Sequence, residues 1–63
     1  MDDADKLRML LPHWIEHNGE HAEEFRAWAE RVALARESLT AAADLLAEAN
    51  ARLRDAMERL PSG

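Results

Sequence analysis

Three histidines, His13, His17 and His21, recur at a constant spacing of four, and the sequence holds no other histidine and no cysteine. On a helix, residues four apart are neighbours on one face with Cβ atoms about 5–6 Å apart. Two imidazoles so placed can share one divalent metal ion. Glu16, Glu20 and Glu24 keep the same rhythm, so the segment reads H-x-x-E-H-x-x-E-H-x-x-E. Glu23 adds a further acid, and no base stands between His13 and Glu24. Imidazole nitrogen with carboxylate oxygen in an anionic setting suits a divalent transition metal (Ni, Co, Zn or Cu, and also Fe). Ca and Mg prefer shells made of oxygen alone. The candidate ligands are therefore His13, His17 and His21, with Glu16, Glu20 or Glu24 completing the shell. Two other readings stand beside this one. The stripe can be a solvated polar face with no ligand, or a surface that responds to pH through imidazole protonation.

Catalysis is not expected. H-x-x-E-H occurs twice, and the same string marks inverted zinc peptidases. Those enzymes need a third ligand from elsewhere, an oxyanion stabiliser and a cleft, and the sequence offers no ligand of the His or Cys type outside this segment. Di-iron bundles use paired Glu-x-x-His motifs, whereas the order here is His-x-x-Glu. Beyond residue 39 the only potential partners are Asp44, Glu48, Asp55, Glu58 and Asn50. Leu10, Trp14, Phe25 and Trp28 flank the stripe and read as core that also dries one side of a metal site. Asn50, beside Ala49 and Leu53, reads as a surface or register-setting residue.

The elements that must carry these residues are helical. Ala, Leu, Glu and Arg dominate, β-branched residues are few, and no run alternates with period two. Asp2 or Asp3 suits a helix cap, with acids at the positive end of the dipole. Pro12 kinks that helix or restarts it. Asn18-Gly19 is the strongest turn dipeptide, but the apolar residues on either side share one phase, which favours a helix running through it. Val32, Ala35, Leu39, Ala42, Leu46, Ala49, Leu53, Ala56 and Leu60 then form a three-four seam of alternating large and small residues. Arg36, Glu37, Ser38 and Thr40 supply the only loop chemistry, with Ser38 or Thr40 as cap of a second helix. Either the chain turns near 34–39 into a hairpin, or it continues as one long helix that needs a partner.

The net charge of −5, from 13 acids and 8 bases, opposes binding to nucleic acid and to an anionic membrane. No stretch is apolar enough to span a bilayer and no leader peptide is visible, so a cytoplasmic location is expected. A chain of 63 residues buries only about 60% of the surface its unfolded form exposes. Without cysteine it has neither a disulfide nor a zinc–thiolate cluster to compensate.

The run from Leu10 to Ala29 resembles a small prokaryotic helical domain of unknown function. That domain carries the signature H-W-I-E-H-N-x-E-H-A-x-x-F-x-x-W-A, matched here from His13 to Ala29. Ala43 to Asn50 is similar to its second helix. The resemblance implies a link to nickel and cobalt handling and a metal-handling protein as a possible partner. Relatives carry a glycine-containing loop between the helices, which this chain lacks between Ala33 and Ser38. That departure keeps the continuous, exchanged helix in play.

The expected fold is all-α, a single domain over 1–63. It is an antiparallel helical hairpin with a long first helix kinked near Pro12/Gly19, a second helix over about 39–60 and a frayed tail at 61–63. It is expected to pair as a homodimer into a four-helix bundle that covers Trp14, Phe25 and Trp28. The expected function is non-catalytic metal binding for sequestration, delivery or sensing. The alternative is a structural or oligomerisation module whose His/Glu face is merely solvated.

Overall fold

The acidic start caps a helix. The Asp2 carboxylate accepts from the Asp5 backbone N–H at 2.9 Å, satisfying a donor that the first turn leaves free. In the computed structural model, which describes residues 2–61, α1 (Asp3–Arg31) runs from that cap for 29 residues. It continues through Pro12, although a proline inside a helix removes one backbone bond and costs about 3 kcal/mol. It also continues through Gly19, whose φ is negative. The turn that Asn18-Gly19 offers is not taken.

The reversal comes earlier than expected and without glycine. Val32 leaves the helix in an extended conformation (φ −123°, ψ 94°), which its β-branched side chain favours. Ala33–Ala35 then form one 3₁₀ turn, closed by the Ala35 N–H donating to the Val32 carbonyl at 3.0 Å. Every residue of this turn stays in φ/ψ space open to L-residues. The chain reverses without a glycine and is a hairpin rather than one continuous helix. The second helix, α2 (Arg36–Arg59), starts at residue 36 rather than 39. Its cap position is Ala35, with no side-chain cap bond, so Ser38 and Thr40 lie inside the helix instead of capping it. Arg36 supplies the fastening. Its Nε donates to the Ala29 carbonyl at 3.0 Å and its guanidinium to that of Glu30 at 3.4 Å, meeting free carbonyls at the negative end of α1. α2 stops before Pro61, and Leu60 is extended as the residue preceding proline must be. The expected frayed tail, Pro61 apart, lies outside the described residues.

The two helices pack along their length in a body of 47 × 15 × 12 Å, as 29 residues rising about 1.5 Å each require. The inner seam of α1 is Leu11, Ile15, Asn18, Ala22, Phe25 and Ala29; that of α2 is Leu39, Ala43, Leu46, Asn50, Leu53 and Met57. All are buried or half-buried. Of the Leu/Ala stripe read from the sequence, Leu39, Leu46 and Leu53 lie in the α2 seam and Ala42, Ala49 and Ala56 flank it; the deepest points of the seam are Ala43 and Asn50, and Val32 is exposed. Among the described residues only Leu11, Ala29 and Ala43 form a fully buried apolar core.

Asn50 belongs to the interior. Its Nδ2 donates to the Ile15 carbonyl at 3.0 Å, and its Oδ1 accepts from Asn18 Nδ2 at 3.1 Å. No described buried side-chain polar atom is left without a partner. A polar pair satisfied in only one alignment fixes the register of two otherwise slippery Ala/Leu faces. At the open end Arg8 does similar work, pairing with Asp5 at 2.9 Å and donating to the Pro61 carbonyl.

Candidate metal centre

The inner seam divides the rest of the hairpin into two walls. Successive residues on a helix turn by about 100°, so the residues one step before the α1 seam form a second stripe on one side of it: Leu10, Trp14, His17, His21, Glu24 and Trp28. In an antiparallel pair the residues one step before the α2 seam fall on that same side: Ser38, Ala42, Leu45, Ala49, Arg52 and Ala56, with Arg52 exposed and paired to Glu48. The residues one step after each seam form the opposite wall, with Glu16, Glu23, Arg26 and Glu30 from α1 and Thr40, Asp44, Arg54 and Glu58 from α2. The Arg26–Asp44 ion pair at 2.9 Å spans the helices there. Large exposed hydrophobic residues follow the same division. Leu10, Trp14 (40% exposed), Trp28 (49%) and Leu45 (70%) lie on the first wall; Met9 and the turn residues Val32 and Leu34 are the others, and the charged wall has none.

His17 and His21 stand in the middle of the first wall. Their Nε2 atoms are 3.1 Å apart, and their rings meet edge to face with centroids 4.5 Å apart. Two nitrogens each about 2.0–2.1 Å from one ion lie about 3.3 Å apart at a tetrahedral angle and about 2.9 Å apart at a right angle. The observed separation falls between those values. Without an ion the same distance serves an N–H···N hydrogen bond between two imidazoles in complementary tautomers. On the far side of His21, Nδ1 lies 3.9 Å from the Glu24 carboxylate. That is longer than a hydrogen bond; Glu24 stands on the side from which an outer carboxylate orients a ligating imidazole, without making that bond here. Phe25 lies beyond, its ring centroid 6.0 Å from that of His21. Arg31 sits over the Trp28 ring at 5.2 Å and shields part of it.

The remaining sequence candidates are spread around the helix. A spacing of four advances by about 40° per step, so the three histidines wind across the surface instead of stacking in a column. His13 is nearly parallel to His17 with centroids 6.2 Å apart, and it sits further toward the back of α1. Glu20 lies beside it on the back, and Glu16, one step after Ile15, falls on the opposite wall from His17. Among the described residues no three His, Asp or Glu side chains come together as a group able to hold a metal ion. The structure brings His17 and His21 together, with Glu24 on the outer side of His21, and leaves His13, Glu16 and Glu20 apart from that pair. No described helix is long and apolar enough to cross a membrane.

Residues 7–60 match a family described as Domain of unknown function (DUF8180), a span that includes the whole His/Trp signature and the packed length of both helices. Neither the curated proteins nor the solved structures give a match.

Proposed function

The chain belongs to the DUF8180 family, and for it we propose a non-catalytic role in binding a divalent transition metal through His17 and His21, with Glu24 orienting His21. The carrying observation is the 3.1 Å separation of the two Nε2 atoms, the bite of a two-nitrogen chelate on one ion. Neutral imidazole is a borderline ligand that suits Ni, Co, Cu and Zn, the order of affinity following the general series for such sites. The role proposed for the bound ion is sequestration, delivery or sensing. The nickel and cobalt link belongs to this proposal, as does a metal-handling protein as recipient of the ion. So does pairing of two hairpins: a core of one leucine and two alanines is thin, and a second copy would cover Trp14 and Trp28.

Calorimetric titration of a tagless preparation with Ni²⁺, Co²⁺, Zn²⁺ and Cu²⁺ tests the reading. At about pH 7.5 at least one ion binds more tightly than about 100 µM, and binding weakens at about pH 5.5 because protons compete for the imidazoles that must be neutral to ligate. Failure of all four ions to bind at that level removes the proposal.

A scaffold role is the second reading, and what favours it is that no three donors converge within the described residues. It expects a variant with His13, His17 and His21 all changed to Gln to keep its melting temperature and its mass in solution, with and without metal.

A further inference from the structure

We infer that the metal site is shared, with the ion lying on a two-fold axis between two copies of the hairpin and taking His17 and His21 from each. This rests on the proposed metal binding and adds who completes the site. Among the described residues one chain offers a two-nitrogen bite with no third donor grouped with it, whereas zinc-type sites take four ligands. Two such bites make four.

The surroundings point to the same occupant. His17 and His21 lie not on the polar back of α1 but within the wall of Leu10, Trp14, Trp28 and Leu45, whose hydrophobic side chains are exposed. That wall is the inner seam turned by about 100°, and in a square four-helix bundle each helix faces its two neighbours at about that angle. A two-fold interface is self-complementary. Residues 17 and 21 stand close to the centre of α1 (Asp3–Arg31), so an axis at their level lets the whole length of one wall meet the other with α1 antiparallel to its mate. His17 of one copy then faces His21 of the other, Leu10 faces Trp28 and Trp14 faces Glu24. Each chain carries a net charge of −5, and a divalent cation on the axis offsets part of the repulsion between copies. The opposite wall, which carries Glu16, Glu23, Arg26, Asp44 and Glu58, offers carboxylates but neither large exposed apolar side chains nor imidazoles for such a contact.

Sedimentation of the metal-loaded, tagless chain, with nickel content measured on the same sample, tests the inference. The expected result is about half an ion per chain on a particle of two chains. One ion per chain on a single chain overturns the shared site and leaves metal binding standing. No uptake overturns both. A Leu45→Glu variant gives an independent check. Residue 45 is on α2, and a carboxylate there attracts a cation, so an affinity loss has to come through loss of the partner. Helicity by circular dichroism is expected to persist while nickel affinity falls at least about 100-fold as two of four ligands depart. Unchanged affinity in that variant overturns the shared site.

Discussion

The wall that carries His17 and His21 and the wall that carries Arg26 and Asp44 are each one residue away from the same inner seam, yet they ask for different surroundings. The charged wall is finished. Its long side chains reach water, and Arg26 and Asp44 pair across the helices while staying 48% and 67% exposed. The other wall leaves Trp14 and Trp28 part-exposed, Leu45 mostly exposed, and two imidazoles at chelating distance with no third donor grouped with them among the described residues. Between the walls, the interior spends one of its few buried positions on Asn50, a polar residue. The hairpin thus places polarity where register is decided and leaves apolar surface on one outer wall. Burial is the larger source of stability and polar pairing the larger source of uniqueness, and the two are divided here between an inner and an outer face.

Four substitutions probe that division, each read on metal-free protein at one fixed concentration because pairing shifts apparent stability. Leu11→Ala has the largest expected effect. Leu11 is 1% exposed and is the only large side chain fully buried among the described residues, so its truncation costs about 2–5 kcal/mol in denaturant unfolding. A loss below about 1 kcal/mol would place the stabilising contacts on the outer wall instead. Asn50→Ala comes next, at about 1–3 kcal/mol, because it removes two hydrogen bonds and leaves the Asn18 amide to find water. A neutral result would deny the inner seam its role in register. Gly19→Ala is expected to raise stability by about 0.5–1 kcal/mol, since φ is negative and nothing lies within 4 Å of an added Cβ. A loss would mean that the paired state brings something against residue 19. Arg26→Ala is the smallest, below about 0.5 kcal/mol, because solvent screens the pair. A larger loss would show that the charged wall also holds the hairpin together.

Much of this was legible in the sequence. Composition and the shared phase around Gly19 pointed to a helix running through it, the acidic start offered Asp2 or Asp3 as its cap, and Trp14, Phe25 and Trp28 were much apolar area for one neighbouring helix to cover; Phe25 is half-buried in the seam, and the two tryptophans stay part-exposed. The turn was not legible, because Val32 to Ala35 carry neither glycine nor proline, and the fastening comes from Arg36 reaching back to carbonyls that no local pattern reveals. Asn50 read as either a surface or a register-setting residue, and the sequence did not choose between them. Its partners are Asn18 and the Ile15 carbonyl, more than thirty residues away, and only the register of the closed hairpin brings them together. The His/Glu repeat looked like one site because its letters repeat every four, but a helix repeats every 3.6 residues. That mismatch moves His13 toward the back and Glu16 to the other wall, leaving His17 and His21 together with Glu24 on the outer side of His21.

Nickel affinity measured side by side for the unaltered chain, His13→Gln and His17→Gln tests the central claim most directly. The expected result is that His13→Gln binds within about threefold of the unaltered chain while His17→Gln loses at least about 100-fold, as removal of a ligand from a small site requires. Equal losses in the two variants, or no loss in His17→Gln, would contradict it.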